Sequence, residues 1–257
     1  MDDLFSLDGR IAVVTGGAGQ LGGEIASGLA ACGAKVAIFD IAEAAKGDGI
    51  SSFVVDVTDR GAIERATAEL PDVPHVLVNA AALDSPPDAP AEEVGPFEDY
   101  PSESFDEVMR VNVKGTLFAC QVIGAGMAEA GRGSIVNVSS IYGMLSPVQE
   151  LYDFRRGSGG TFFKPVAYSV SKSALYNLTR YLATYWAKSG VRVNTLTLAG
   201  VANEQPREFV EAYTSRMPLG RMADVREVVG PVVFLASDAS SYVTGANLVV
   251  DGGWSAW

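Results

Sequence analysis

Seven short apolar runs alternate with longer segments of helical periodicity, and this alternation restricts the fold more than any other feature. The runs are IAVVT (11–15), KVAIF (35–39), SFVVD (52–56), HVLVN (75–79), SIVNV (134–138), VRVNTL (191–196) and ANLVV (246–250). Several are nearly unbroken β-branched stretches, as strands become when a parallel sheet is covered on both faces. Helices are predicted between them at 20–31, 60–69, 102–129, 166–188 and 224–236, the last opened by a capping box of Asp224 and Glu227. Only IAEAAKGDG separates the second and third runs, so that crossover is abbreviated. The pattern predicts one α/β domain over residues 1–257, a doubly wound parallel sheet of about seven strands flanked by helices.

Three stretches read as substrate loops: 83–101, 141–165 and 198–220. A net charge of −12 argues against nucleic acid and anionic membrane surfaces as partners. No apolar run reaches the ~18 residues of a membrane span. The acidic start MDDLFSLDGR lacks the pattern of a secretion signal, so a cytoplasmic location is expected. Cys32 and Cys120 sit in apolar helical patterns and read as buried small hydrophobes. With a single histidine, His75, no metal centre is expected.

Two constellations carry chemistry. The first run ends in TGGAGQLGGEIA (15–26), a glycine-rich turn between strand and helix, where backbone amides and the helix N-terminus can hold a pyrophosphate. Asp40 closes the second run, 18 residues after Gly22. A carboxylate there can accept both ribose hydroxyls of an adenosine half and repel a 2′-phosphate. Position 41 is Ile and 17–19 are Gly-Ala-Gly, so no cation awaits that phosphate, and NAD is expected over NADP. The second constellation is Tyr168 and Lys172, one helical turn apart and so on one face. The helix N-terminus and the ammonium both favour phenolate, which predicts a lowered tyrosine pKa.

Taken together, TGGAGQLG, Asp-Val-Thr-Asp at 56–59, Asn-Ala-Ala-Ala at 79–82, Asn112 in RVNVKGT, Ser139-Ser140, YSVSK and the closing VDGGW resemble the short-chain dehydrogenases/reductases, in family order over essentially the whole chain. The resemblance implies a Rossmann-like fold and hydride transfer between a secondary alcohol or ketone and a nicotinamide cofactor. By that resemblance Tyr168 exchanges the substrate proton, Lys172 tunes it and holds the nicotinamide ribose, and Ser140 bonds the reacting oxygen. Asn112 holds a water leading to Lys172. Gly16, Gly19, Gln20, Leu21 and Gly22 surround the phosphates, Asp40 and Ile41 the ribose, and Asp56 and Val57 the adenine. Asn79, Ala80 and Ala81 line the central cleft, and Val201 and Asn203 the nicotinamide. A homotetramer, or a homodimer, is implied, with Trp254 and Trp257 near one interface.

Three departures from the family pattern stand out. Gln20 replaces a glycine of the turn, Leu198-Ala199 replaces a Pro-Gly, and 28 residues separate Ser140 from Tyr168, roughly twice the family spacing. The added loop carries Arg155 and Arg156, which with Tyr142 read as contacts to a polar or anionic substrate. The expected substrate is a sugar, sugar acid or polyol. The alternatives are a 3-oxoacyl-thioester (acyl-carrier-protein) reductase and a non-catalytic NAD-binding regulator.

Overall fold

The computed structural model describes residues 4–44, 47–84, 94–156 and 162–257, without the side chain of Arg156. Strands β1 (Ile11–Thr15), β2 (Lys35–Asp40), β3 (Ile50–Val54), β4 (Val76–Asn79), β5 (Gly133–Ser140), β6 (Val191–Leu198) and β7 (Asn247–Val250) form one sheet. Its order is β3-β2-β1-β4-β5-β6-β7, and every pairing is parallel. All seven apolar runs of the sequence are therefore strands. β3 begins two residues before its predicted run. It is an edge strand paired with β2 alone, and so tolerates Ser51 and Ser52 inside it.

The helices are α1 (Gln20–Ala31), α2 (Arg60–Ala68), α3 (Ser102–Met109), α4 (Thr116–Ala119), α5 (Ala125–Glu129), α6 (Ile141–Met144), α7 (Asp153–Arg156), α8 (Val166–Trp186), α9 (Arg207–Thr214) and α10 (Val229–Ala236). The helix expected over 102–129 is continuous, but wider π turns interrupt it at Arg110–Gly115 and Cys120–Gly124. Such bulges recur where a helix re-aims a functional side chain. The Asp224–Glu227 capping box is present. The segments at 141–165 and 198–220 hold short helices rather than only loop. Within the latter, Phe209 and Tyr213 bury one face of α9. Cys120 is buried and Cys32 only half-buried, and both are free thiols.

Apolar layers cover both sheet faces. Ile25 and Leu29 of α1 pack with Val232 and Leu235 of α10 on one side. Ile63, Ile123, Met127 and Leu182 pack on the other. A third, aromatic cluster stands over the C-terminal edge of the sheet and contains Tyr142, Tyr152, Phe162, Phe209, Tyr213 and Trp254. Tyr152 stacks on Phe162 at 4.5 Å and Tyr213 on Trp254 at 4.5 Å. Among the described residues, no helix is long and apolar enough to cross a membrane.

Candidate active site

In a doubly wound sheet, ligands bind beyond the strand C-termini where the strand order reverses. Here that point lies between β1 and β4. A cleft of about 850 Å³ opens there, lined from Gly16, Gly19 and Asp40 at one end to Tyr168, Lys172 and Tyr213 at the other. Gly16 adopts φ +71°, and a Cβ on it would stand 2.6 Å from the Ala81 Cα, so the β1 and β4 loops meet in backbone contact. A Cβ on Gly22 would stand 2.2 Å from the Gly16 carbonyl oxygen, which brings the first turn of α1 onto the glycine turn. No side chain caps the N-terminus of α1 at Gly19. Its amides and the positive end of its dipole are thus left for an anion in the cleft. These features fit the pyrophosphate of a dinucleotide.

Asp40 sits at the end of β2. Its Oδ2 accepts from the Ala18 amide at 2.9 Å and its Oδ1 from the Ala42 amide at 2.9 Å, which fixes the carboxylate at the cleft wall. Each oxygen retains a lone pair for a ribose hydroxyl. Ile41 beside it is exposed. Asp56 is held below the usual carboxylate range, chiefly by the Thr58 amide that donates to its Oδ1 at 2.8 Å. Gln20 spans the cleft mouth, and its Nε2 donates to the Ala202 carbonyl at 2.8 Å. Its side chain is thereby drawn away from the glycine turn, and Leu21 follows it along the cleft wall. Gln205 clamps the opposite loop by donating to the Val201 carbonyl and accepting from the Asn203 amide.

At the other end, Ser140, Tyr168 and Lys172 converge. Ser140 ends β5 and caps α6, its Oγ accepting from the Tyr142 amide at 3.2 Å, and it lines the cleft beside Tyr168. Ser139 points elsewhere, donating to the Lys172 carbonyl at 2.9 Å. Lys172 is buried on α8, its Nζ donates to the Val138 carbonyl at 2.9 Å, and the ammonium lies 5.8 Å from the Tyr168 ring centre. Burial lowers the Lys172 pKa to about 8 against a smaller opposing pull from Asp84. Tyr168 differs from the sequence expectation. Burial, with Asp84 nearby, raises its pKa, and the neighbouring Ser140 hydroxyl only partly offsets this. Desolvation of phenolate outweighs the effects that favour it, so the hydroxyl keeps its proton at neutral pH.

Other expected residues are placed differently. Asn79 lies beneath the cleft floor, its Nδ2 donating to Asn137 Oδ1 at 2.8 Å within the sheet, while Ala80 and Ala81 line the cleft. The Asn112 side chain grips Leu83 by both backbone groups, at 2.7 and 2.9 Å, and donates to Ser171. These contacts tie the β4 loop to α8 through one buried side chain. Arg155 lies with its guanidinium 5.4 Å over the buried Phe162 ring and is not among the cleft-lining residues. The Arg156 side chain and residues 157–161 lie outside the described residues. Trp254 is buried against Tyr213, whereas Trp257 is exposed.

Sequence reasoning placed Tyr152 and Lys164 only as members of the inserted loop and did not single out Asp84, Phe209 or Tyr213; all five line the cleft. The signals were slight: Asp84 follows Asn79 by five residues, and Lys164 precedes Tyr168 by four.

Comparison with known proteins agrees with this geometry. Residues 16–255 match the family described as Enoyl-(Acyl carrier protein) reductase. Galactitol 2-dehydrogenase (L-tagatose-forming) of Cereibacter sphaeroides is 35% identical over 99% of this chain and 98% of its own. Gluconate 5-dehydrogenase of Gluconobacter oxydans is 34% identical over 98% of this chain and 96% of its own. The crystal structure of a short chain dehydrogenase from Leptospira borgpetersenii with bound NAD+ superimposes with a TM-score of 0.86 at 30% identity, covering 97% of this chain and 94% of that one.

Proposed function

The chain belongs to the short-chain dehydrogenase/reductase family, and from that premise we propose that it interconverts a secondary alcohol and a ketone on a sugar, sugar acid or polyol, with Tyr168 as the proton-exchanging group. The observation that carries the reading is the meeting of Ser140, Tyr168 and Lys172 at one end of a cleft whose other end fits a dinucleotide.

Gly16, Gly19, Gln20, Leu21 and Gly22 would hold the pyrophosphate of a bound dinucleotide, Asp40 and Ile41 its adenosine ribose, and Asp56 and Val57 its adenine. Ala80 and Ala81 line the centre, and Val201 and Asn203 the nicotinamide end. A bound nicotinamide dinucleotide would supply the hydride acceptor or donor. The protein's own groups do the rest. Ser140 and Tyr168 hydrogen-bond the reacting oxygen and stabilise the charge that develops there. In the reductive direction the protonated Tyr168 hydroxyl gives its proton to that oxygen, and in the oxidative direction the phenolate takes it back. The Lys172 ammonium opposes the desolvation of that phenolate. Asn112 orders the β4 loop against α8. Tyr142 and the aromatic cluster exclude water from the reacting centre.

NAD is the proposed cofactor. The fixed Asp40 carboxylate and the absence of a cation at 17–19 or 41 support it over NADP. A homotetramer or homodimer is proposed from the exposed Tyr181 and Tyr185 of α8, and from Tyr242 and Trp257 near the C-terminus. The test is Tyr168→Phe with a panel of polyols and sugar acids. Turnover should fall by about 10²-fold or more, as loss of a general acid–base group implies, while dinucleotide binding is retained. Near-full activity of the variant would refute the mechanism.

A further inference from the structure

Beyond the Ser–Tyr–Lys constellation, the substrate end of the cleft holds a second charged pair. The Lys164 ammonium lies 2.5 Å from Asp84 Oδ1, with the lysine side chain 7% exposed and the aspartate 50%. The ammonium also stands 5.0 Å from the Tyr168 ring centre, so two lysines approach that ring. Both members of the pair are held in place. Asn112 grips Leu83, the residue before Asp84, by its amide and its carbonyl. Gln149 grips the Lys164 backbone in the same double manner, at 2.8 and 3.4 Å. Next to them, the Tyr142 hydroxyl is buried with no hydrogen-bond partner among the described residues.

We propose that Asp84 and Lys164 form a charge-compensated clamp that determines specificity, binding hydroxyls of an uncharged polyol or ketose next to the reacting carbon and disfavouring sugar acids. A carboxylate that accepts, an ammonium that donates and a buried hydroxyl that can do either suit adjacent hydroxyl groups. A substrate carboxylate seated beside Lys164 would be seated beside Asp84 as well, and the attraction of one is offset by the repulsion of the other. The only other charged side chain at this end, among the described cleft-lining residues, is Lys172, which is committed to the Val138 carbonyl. The inference rests on the reading of Tyr168 as the group that meets the reacting oxygen.

The experiment compares kcat/KM for C4–C6 polyols with that for the aldonic acids of the same chain length and stereochemistry, at saturating NAD, in the parent, Asp84→Asn, Lys164→Gln and Tyr168→Phe. The parent should prefer the polyol. Asp84→Asn removes the carboxylate that repels an anion there and should shift the polyol-to-acid ratio toward the acid by about tenfold to a hundredfold, the worth of a charge-assisted hydrogen bond. Lys164→Gln removes the cation that attracts an anion there and should shift the ratio the other way. Loss of folded protein lowers kcat/KM on both substrates alike and leaves the ratio unchanged, so opposite shifts separate recognition from structural damage, and NAD affinity read by tryptophan fluorescence should stay constant. A parent that prefers the acids, or variants whose ratios stay put or move together, overturns the clamp and leaves the oxidoreductase reading intact. An active Tyr168→Phe, or a parent that turns over neither class, overturns that reading and the clamp with it.

Discussion

Replacing Lys172 by Met should leave the folded protein at least as stable at neutral pH while removing its activity. The lysine is buried, and its pKa falls from its ordinary 10.5 to about 8. That drop corresponds to about 3 kcal/mol of unfavourable burial of the ammonium. Methionine removes this cost but leaves the Val138 carbonyl without its donor, which costs about 1–3 kcal/mol. The balance at pH 7 lies between no change and a gain of about 2 kcal/mol, or a few degrees in Tm for a chain of this size. The pH dependence is the sharper signature. Between 8 and 10.5 the unfolded lysine stays protonated while the folded one loses its proton, so the parent gains stability as pH rises. The lead of Lys172→Met should be greatest below pH 8 and should shrink through that window. By pH 10.5 only the lost hydrogen bond remains, and the variant should be the less stable protein. Thermal melts of both proteins at pH 7, 8, 9 and 10.5, without added dinucleotide, measure the difference directly. Effects of other titrating groups cancel in it. Turnover at pH 7 should fall by about 10²-fold or more. A variant destabilised equally at every pH would refute the argument, since the ammonium would then carry no burial cost.

Asp40→Ala should lower kcat/KM with NAD and relax discrimination against NADP, because it removes both the ribose acceptor and the repulsive charge; a parent that prefers NADP would sink this reading of Asp40. Because burial raises the Tyr168 pKa, its phenolate fraction grows with pH. Alcohol oxidation should therefore rise between pH 7 and 9 by up to about tenfold per pH unit, whereas ketone reduction should stay level or fall. Initial rates in both directions across that range decide the point, and an oxidation rate that declines with pH contradicts it.

The sheet was legible because its signal is local. A strand covered on both faces must be apolar along its length, and IAVVT, HVLVN and SIVNV have few other uses. The glycine turn was legible for a related reason: a Cβ at Gly16 or Gly22 would collide with backbone. What stayed hidden depends on long-range packing. The apolar 52–56 run gave no hint that β3 begins at Ile50, because its single partner β2 sets the register. The 102–129 periodicity could not reveal π turns at Arg110–Gly115 and Cys120–Gly124. Nor did a dipole-and-neighbour argument foresee that burial would dominate at Tyr168, since the enclosing Tyr142 and Tyr213 come from distant segments.

The long Ser140-to-Tyr168 spacing drew attention to two adjacent arginines, and the structure also places a lysine of the same insertion in the cleft. Adjacent arginines at 155 and 156 are the conspicuous charges of that insertion, and a guanidinium is a ready carboxylate ligand. Yet Arg155 spends its planar face on Phe162, whose ring is fully buried in the aromatic cluster. In that position it supports the wall of the cleft. The cation of the insertion that lies beside the Tyr168 ring is Lys164, the last residue before Pro165 caps α8. Its place follows from the covalent geometry: a residue just ahead of the helix N-terminus stays close to the first turn, where Tyr168 sits, whatever path the preceding loop takes. The functional weight of such an insertion therefore falls at the points where it rejoins the scaffold. There the backbone is fixed by Gln149 and by α8, and a side chain can be held within the half-ångström tolerance that recognition requires.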